Sequence, residues 1–142
     1  MNHLSKYLNA QEKNYKTALD ELKAGSKRSH WMWFIFPQIA GLGVSKTSQF
    51  YAFSSLDEAK DYLSDPVLGS RLLKCVALVL QHGERTACEI FGWIDAKKFQ
   101  SFLTLFEIVD PEEPLFKQAL STFYQDTRDV NTVKLLRINN SL

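Results

Sequence analysis

The sequence predicts an all-α fold, a compact single-domain bundle of about seven helices with an aromatic-rich loop after the first helix. Three observations predict it. Apolar residues recur at helical spacing through most of the chain. Helix-start signals, a Ser, Thr or Asp followed by Glu or Pro, precede those runs. The two-residue alternation of a half-buried strand is nearly absent, and Phe50 to Phe53 is the one stretch that suits a brief extended piece.

Leu4, Tyr7, Leu8, Tyr15, Ala18, Leu19 and Leu22 share one face of a first helix, which Gly25 stops. After the loop, Ser55-Leu56-Asp57-Glu58 is a capping box that opens a helix to about Leu63. Asp65 caps the next helix, with Pro66 at its first position, where a missing N–H costs nothing. Val67, Leu68, Leu72, Leu73, Val76, Ala77, Val79 and Leu80 make it apolar on most sides. It is therefore expected to be the central buried helix, ending at Gly83. Thr86-Ala87-Cys88-Glu89 repeats the capping box, and Gly92 closes a short helix. Asp95 reads as the next N-cap, before a face of Phe99, Phe102, Leu103, Phe106 and Val109 that stops ahead of Pro111. Pro114 opens another helix, and Asp129 starts a last one through Val133, Leu136 and Ile138.

Composition sets bounds on function. Hydrophobic residues make up 45% and charged residues 23% of the 142 residues, ordinary for one domain, expected over residues 1–142. Aromatics reach 13%, so the core is built largely from rings. A net charge of +1 argues against general nucleic-acid binding, which needs a basic excess to meet phosphates. Cys75 and Cys88 sit in apolar helical patterns with no metal-ligand spacing. Both read as buried small residues, with no metal and no cofactor expected. The first residues precede no apolar stretch, and no apolar run is long enough for a bilayer. The expectation is a cytoplasmic protein without membrane partners.

The stretch from Lys27 to Ser45 does not read as ordinary core. Lys27, Arg28, Ser29 and His30 lead directly into Trp31-Met32-Trp33-Phe34-Ile35-Phe36-Pro37, then Gln38 and the pair Gly41 and Gly43. Pro37 and the glycines take the chain out of any helix into a shaped loop. Rings on every side of a short segment must be enclosed, line a pocket or form an exposed patch. Polar groups beside a dry aromatic wall suit a small planar or anionic ligand. The Gly41-x-Gly43 pair falls short of a dinucleotide fingerprint, since no strand precedes it.

A second candidate is Gly92-Trp93-Ile94-Asp95-Ala96-Lys97-Lys98. There the start of a helix offers free amides and the positive end of its dipole to an anion. Ser101 and Thr104 follow on the same helix, where a hydroxyl is commonly satisfied by the backbone. His3 and His82 read as surface residues.

The segment Lys27-Arg28-Ser29-His30-Trp31-Met32-Trp33-Phe34-Ile35-Phe36-Pro37-Gln38-Ile39-Ala40-Gly41-Leu42-Gly43 resembles the signature of a mostly bacterial family, the domain of unknown function DUF1810. Some members carry the label calpastatin, which nothing in these residues supports. Tyr51-Ala52, Tyr62-Leu63 with Pro66, Glu89-Ile90-Phe91-Gly92, Asp95-Ala96 with Lys98, and Thr104-Leu105-Phe106 extend the resemblance over nearly the whole chain. It implies a compact helical domain and no particular activity. The family usually places two small hydroxyl residues side by side before Thr-Leu-Phe. Here Ser101-Phe102 keeps one of them, which discounts chemistry at that position.

The residues lead to one functional expectation with two rivals. In the first, a cleft binds or processes a small nucleotide-like ligand of the NAD or ADP-ribose type. His30, Gln38 and Asp95 are its polar or acid/base groups, and Trp31 and Trp33 its stacking wall. Lys27, Arg28 and Lys98 are its anion contacts, and Gly41, Gly43, Ser45, Tyr51 and Thr104 complete the lining. On this reading Trp31→Ala abolishes ligand binding and a Trp93 substitution does not. The alternative is a protein-interaction module that docks through the aromatic loop without catalysis. The third possibility is that the aromatic motif is folding core.

Overall fold

The computed structural model describes residues 3–138. They form nine helices: α1 (Ser5–Ala24), α2 (Met32–Ile35), α3 (Lys46–Tyr51), α4 (Leu56–Ser64), α5 (Pro66–Leu80), α6 (Ala87–Phe91), α7 (Trp93–Val109), α8 (Pro114–Tyr124) and α9 (Val130–Ile138). The all-α class predicted from sequence is the class observed. The helices beyond the expected count, α2 and α3, are short and fall between the first helix and the first capping box. The one strand-like feature among the described residues is a parallel bridge between Ile39 and Phe53. The Ala40 amide donates to the Phe53 carbonyl at 2.8 Å and the Phe53 amide to the Gln38 carbonyl at 2.9 Å. No helix among the described residues is long and apolar enough to cross a membrane.

Local chemistry explains most helix ends. Asp65 Oδ2 accepts from the Val67 and Leu68 amides at 3.1 and 2.9 Å, with Pro66 beginning α5. Thr86 and Glu89 form a complete capping box. The Ser55 box is displaced by one residue: Ser55 Oγ accepts from the Glu58 amide, but the Glu58 carboxylate takes the Ser54 amide at 2.8 Å. Asp129 Oδ2 holds the Thr132 amide and hydroxyl at the start of α9. Gly25 ends α1 in the left-handed region at φ 71°. His82, read from sequence as a surface residue, closes the same end. Its Nε2 lies 2.9 Å from the Leu22 carbonyl and 3.1 Å from the Lys23 carbonyl. Both partners only accept, so that nitrogen carries the proton. His3 is half-buried, 3.4 Å from Asp61 Oδ2.

Asp95 does not cap α7. The helix begins two residues earlier, at Trp93, because Gly92 takes φ 83° and turns the chain directly into it. The central helix is also α7, not α5. Every residue from Phe99 to Glu107 is buried, and α4, α6, α8 and α9 pack around it. Residues Val67, Ser70 and Lys74 leave one side of α5 in solvent. Polar residues disguise α7 in the sequence, yet each is satisfied inside the fold. The Gln100 amide donates to the Thr127 carbonyl at 2.9 Å, and Ser101 Oγ to the Lys97 carbonyl at 3.2 Å. Thr104 Oγ1 donates to the Gln100 carbonyl and accepts from the Asp129 amide. The Glu107 carboxylate pairs with Arg128 at 2.5 Å.

The core is a chain of rings. Phe36 meets Phe99 and Phe102 with centroids 4.9 and 4.8 Å apart, and Phe102 meets Phe106 at 5.0 Å. Tyr7, Phe53 and Tyr62 continue it toward α1 and α4. Cys75 is buried, and burial pushes its thiol up to about 12. Cys88, expected to be buried, is exposed.

Candidate functional site

The aromatic segment resolves into two parts. A single helical turn sends successive side chains about 100° apart, so the rings of α2 point in different directions. Trp31, Met32, Phe34, Ile35 and Phe36 are all buried, and Trp33 alone stays partly open to solvent. Trp31 has no exposed surface; its indole Nε1 donates to Glu21 Oε1 at 2.9 Å. Trp31 therefore cannot be part of a stacking wall. Phe34 leaves a carbonyl that helix α2 is too short to use. Gln11 Nε2 and the Tyr62 hydroxyl both donate to it, at 2.8 and 3.0 Å.

Glu21, on α1, fixes the loop that precedes α2. Its Oε1 accepts from the Arg28 amide at 2.7 Å and the Ser29 amide at 2.9 Å, and its Oε2 from the Ser29 hydroxyl at 2.5 Å. Burial on its own would raise the Glu21 carboxyl. The bonds from Ser29, Arg28 and Trp31 outweigh burial and hold the pKa down to about 2. Glu21 was not expected from sequence, because nothing local marks a helical glutamate as the anchor of a later loop.

This loop and the start of α7 enclose an open cleft of about 440 Å³. Lys27, His30 and Trp33 line it from one side, and Trp93, Asp95 and Lys98 from the other. Lys27 is the floor. Its amide donates to the Ile90 carbonyl at 2.7 Å, which ties the loop to α6. Its side chain is 7% exposed, with the ammonium 2.7 Å from Asp95 Oδ2, bonded to the Ser29 carbonyl at 2.6 Å and set over the Trp31 ring at 5.1 Å. Lys98 lies nearer the opening. Its ammonium is 3.6 Å from Asp95 Oδ1 and 5.4 Å from the Trp33 ring centroid. The His30 ring runs near-parallel to Trp33, at 24° and 6.4 Å between centroids. Trp93 and Ile94 form an apolar lip, 77% and 68% exposed.

The cleft thus gathers five of the residues expected from sequence: Lys27, His30, Trp33, Asp95 and Lys98. The others lie elsewhere. Arg28, next to Lys27, turns the opposite way and lines a separate depression with Arg85 and Asp20. Gln38 contributes its backbone carbonyl to the bridge with Phe53. Gly41 has φ 106° and faces Leu135, while Gly43 packs against Ser48, and Ser45 Oγ caps α3 by accepting the Ser48 amide at 3.1 Å. The Tyr51 ring packs against Phe34 and lines a further depression with Lys6 and Lys13. Thr104 is sealed in the core. Trp93, expected to lie outside the site, stands on its lip. Its signal in sequence is a Trp-Ile pair between a glycine and an acidic residue, where the first turn of a helix cannot bury both.

The chain is similar to the conserved hypothetical protein Rv1873 from Mycobacterium tuberculosis, known from a crystal structure. The two share 42% identity and a TM-score of 0.92 over 94% of this chain and 96% of that one. No curated protein matches the chain. A family model described as a protein of unknown function (DUF1810) matches residues 1–136, and the chain belongs to that family.

Proposed function

We propose that the cleft between the Lys27–Trp33 segment and the start of α7 binds a small, planar, anionic ligand of nucleotide type. The Lys27–Asp95 pair under an aromatic rim carries the reading. A buried ion pair contributes little net stability, so folding alone gives no reason to place one beneath an opening. Trp33 and Trp93 supply faces on which a base stacks, and Lys98 supplies an accessible cation. The volume of about 440 Å³ falls within the range of small-molecule sites. Asp95 serves as counter-ion to two lysines, which leaves His30 as the group on the rim suited to proton transfer.

A thermal-shift screen of nucleotides and related metabolites tests this. A ligand at 100 times its Kd adds about 2.7 kcal/mol to the unfolding free energy. The shift should vanish in Trp33→Ala while the unliganded variant still melts cooperatively. A panel without any shift at millimolar concentration would defeat the proposal.

One observation favours a second reading, the exposed Trp93-Ile94 pair on the lip. Large apolar side chains side by side in solvent suit a protein-docking patch. That reading expects association in solution, lost in Trp93→Ser, with no dependence on nucleotides.

A further inference from the structure

Resting on the nucleotide reading of the cleft, we infer that the site accepts one phosphate and not two, so its ligands are mononucleotides, gripped by Lys98. The count of available cations leads there. Lys27 is committed on three sides, to Asp95, to the Ser29 carbonyl and to the Trp31 face. Displacing it would cost Asp95 the nearer of its two cations, at 2.7 Å against 3.6 Å for Lys98. Lys98 is held loosely: its 3.6 Å separation from Asp95 is beyond hydrogen-bonding distance, and it is more exposed than Lys27. An incoming phosphate can therefore draw Lys98 away from Asp95 without unpairing the floor. Lys27 answers Asp95, which leaves Lys98 as the lysine of the lining that can turn to a phosphate.

Beyond Lys98, the lining gives a second phosphate no further uncommitted lysine or arginine. Arg28, the obvious further cation, faces another depression. Gly41 and Gly43 lie outside the cleft, against Leu135 and Ser48. The Asp95 carboxylate, close to Lys98, repels additional negative charge at short range. The base of the ligand is set against Trp33 and the Trp93 lip and its phosphate on Lys98, whose ammonium stands 5.4 Å from the Trp33 ring centroid.

Isothermal titration at fixed ionic strength with adenosine, AMP, ADP, ADP-ribose and NAD tests the inference on the full chain. AMP should bind at least about tenfold tighter than adenosine, the worth of one charge-assisted hydrogen bond, and no weaker than ADP. Lys98→Gln should reduce AMP to the level of adenosine measured in the same variant, while Lys98→Arg keeps most of the preference. Trp33→Ala should weaken both ligands together. Tighter binding of ADP, ADP-ribose or NAD than of AMP overturns the single-phosphate inference and leaves the nucleotide reading standing. So does an AMP preference under tenfold or one that Lys98→Gln does not touch. Failure of all five ligands to bind removes the nucleotide reading as well.

Discussion

The indole nitrogen of Trp31 donates to the Glu21 carboxylate at 2.9 Å, and the same carboxylate holds the amides of Arg28 and Ser29. A helix-borne acid thus fixes the residues on both sides of His30. The folded carboxyl lies at about 2, against an ordinary value of 4.5. A folded pKa below the unfolded one adds stability at pH above the unfolded value, and this is lost as pH falls from about 4.5 to about 2. Glu21→Gln should therefore flatten the acid limb of the stability curve. It should also cost about 2 kcal/mol at pH 7, since an amide replaces the acceptor for several donors at once. Urea titrations at pH 7 and pH 3 check this: the gap between the two proteins must narrow at low pH, and a constant gap would refute the role given to Glu21.

Gly69 makes the turn between α4 and α5 possible for reasons of space. A Cβ there would lie 2.0 Å from the Leu63 carbonyl oxygen, a backbone atom that cannot swing aside. Gly69→Ala should cost roughly 3 kcal/mol or more. Gly92 is the contrast. It has φ +83° and ψ 166°, a conformation essentially restricted to glycine, but open space where a Cβ would stand, so Gly92→Ala should cost about 2 kcal/mol through backbone strain alone. Melting curves of the two variants rank them, and the reverse order would contradict the assignment.

These cases show which parts of the fold were legible. Asp65-Pro66 and Thr86 with Glu89 act within one turn of chain, so their chemistry is written in adjacent letters, and the helices they open were readable. Asp95 also resembles a cap, but its partner is Lys27, far away in sequence, and Gly92 had already started the helix. Lys27 and Arg28 are neighbours with similar side chains, yet one lies in the cleft floor and the other lines a separate depression: the Lys27 amide is tied to Ile90 and the Arg28 amide to Glu21, both on other elements. The buried position of α7 was hidden by Gln100, Thr104 and Glu107, whose partners come from the loop before α9. The aromatic density of residues 31–36 was visible, but which single ring would reach the cleft depended on the register of one helical turn.

The polar cluster beneath α2 provides a test of coupling. Gln11 is buried; its Nε2 donates to the Phe34 carbonyl and to the Tyr62 hydroxyl at 2.9 Å, and its Oε1 accepts from Arg71 at 3.2 Å. Tyr62→Phe should cost about 1 kcal/mol, because Gln11 still satisfies the Phe34 carbonyl. Gln11→Leu should cost more, roughly 2 kcal/mol, since it also removes the acceptor of Arg71. A double-mutant cycle should show a coupling of about 1 kcal/mol. Strict additivity would mean that the two side chains act independently of one another.

The cleft floor separates the structural from the ligand-binding part of the site. In Asp95→Asn the Lys27 ammonium keeps the Ser29 carbonyl and loses its counter-charge, on a side chain 7% exposed. Leaving a buried charge uncompensated costs roughly 3 kcal/mol. Lys98→Gln, which removes a more exposed and more distant cation, should cost under about 1 kcal/mol. Replacing both partners, Lys27→Met with Asp95→Asn, removes the stranded charge and should recover much of the stability lost in Asp95→Asn alone. Chemical denaturation of the four proteins measures all three differences. If Asp95→Asn proved no less stable than Lys98→Gln, the pair would not be the floor of the cleft, and Asp95 would become available again as a base for chemistry with His30.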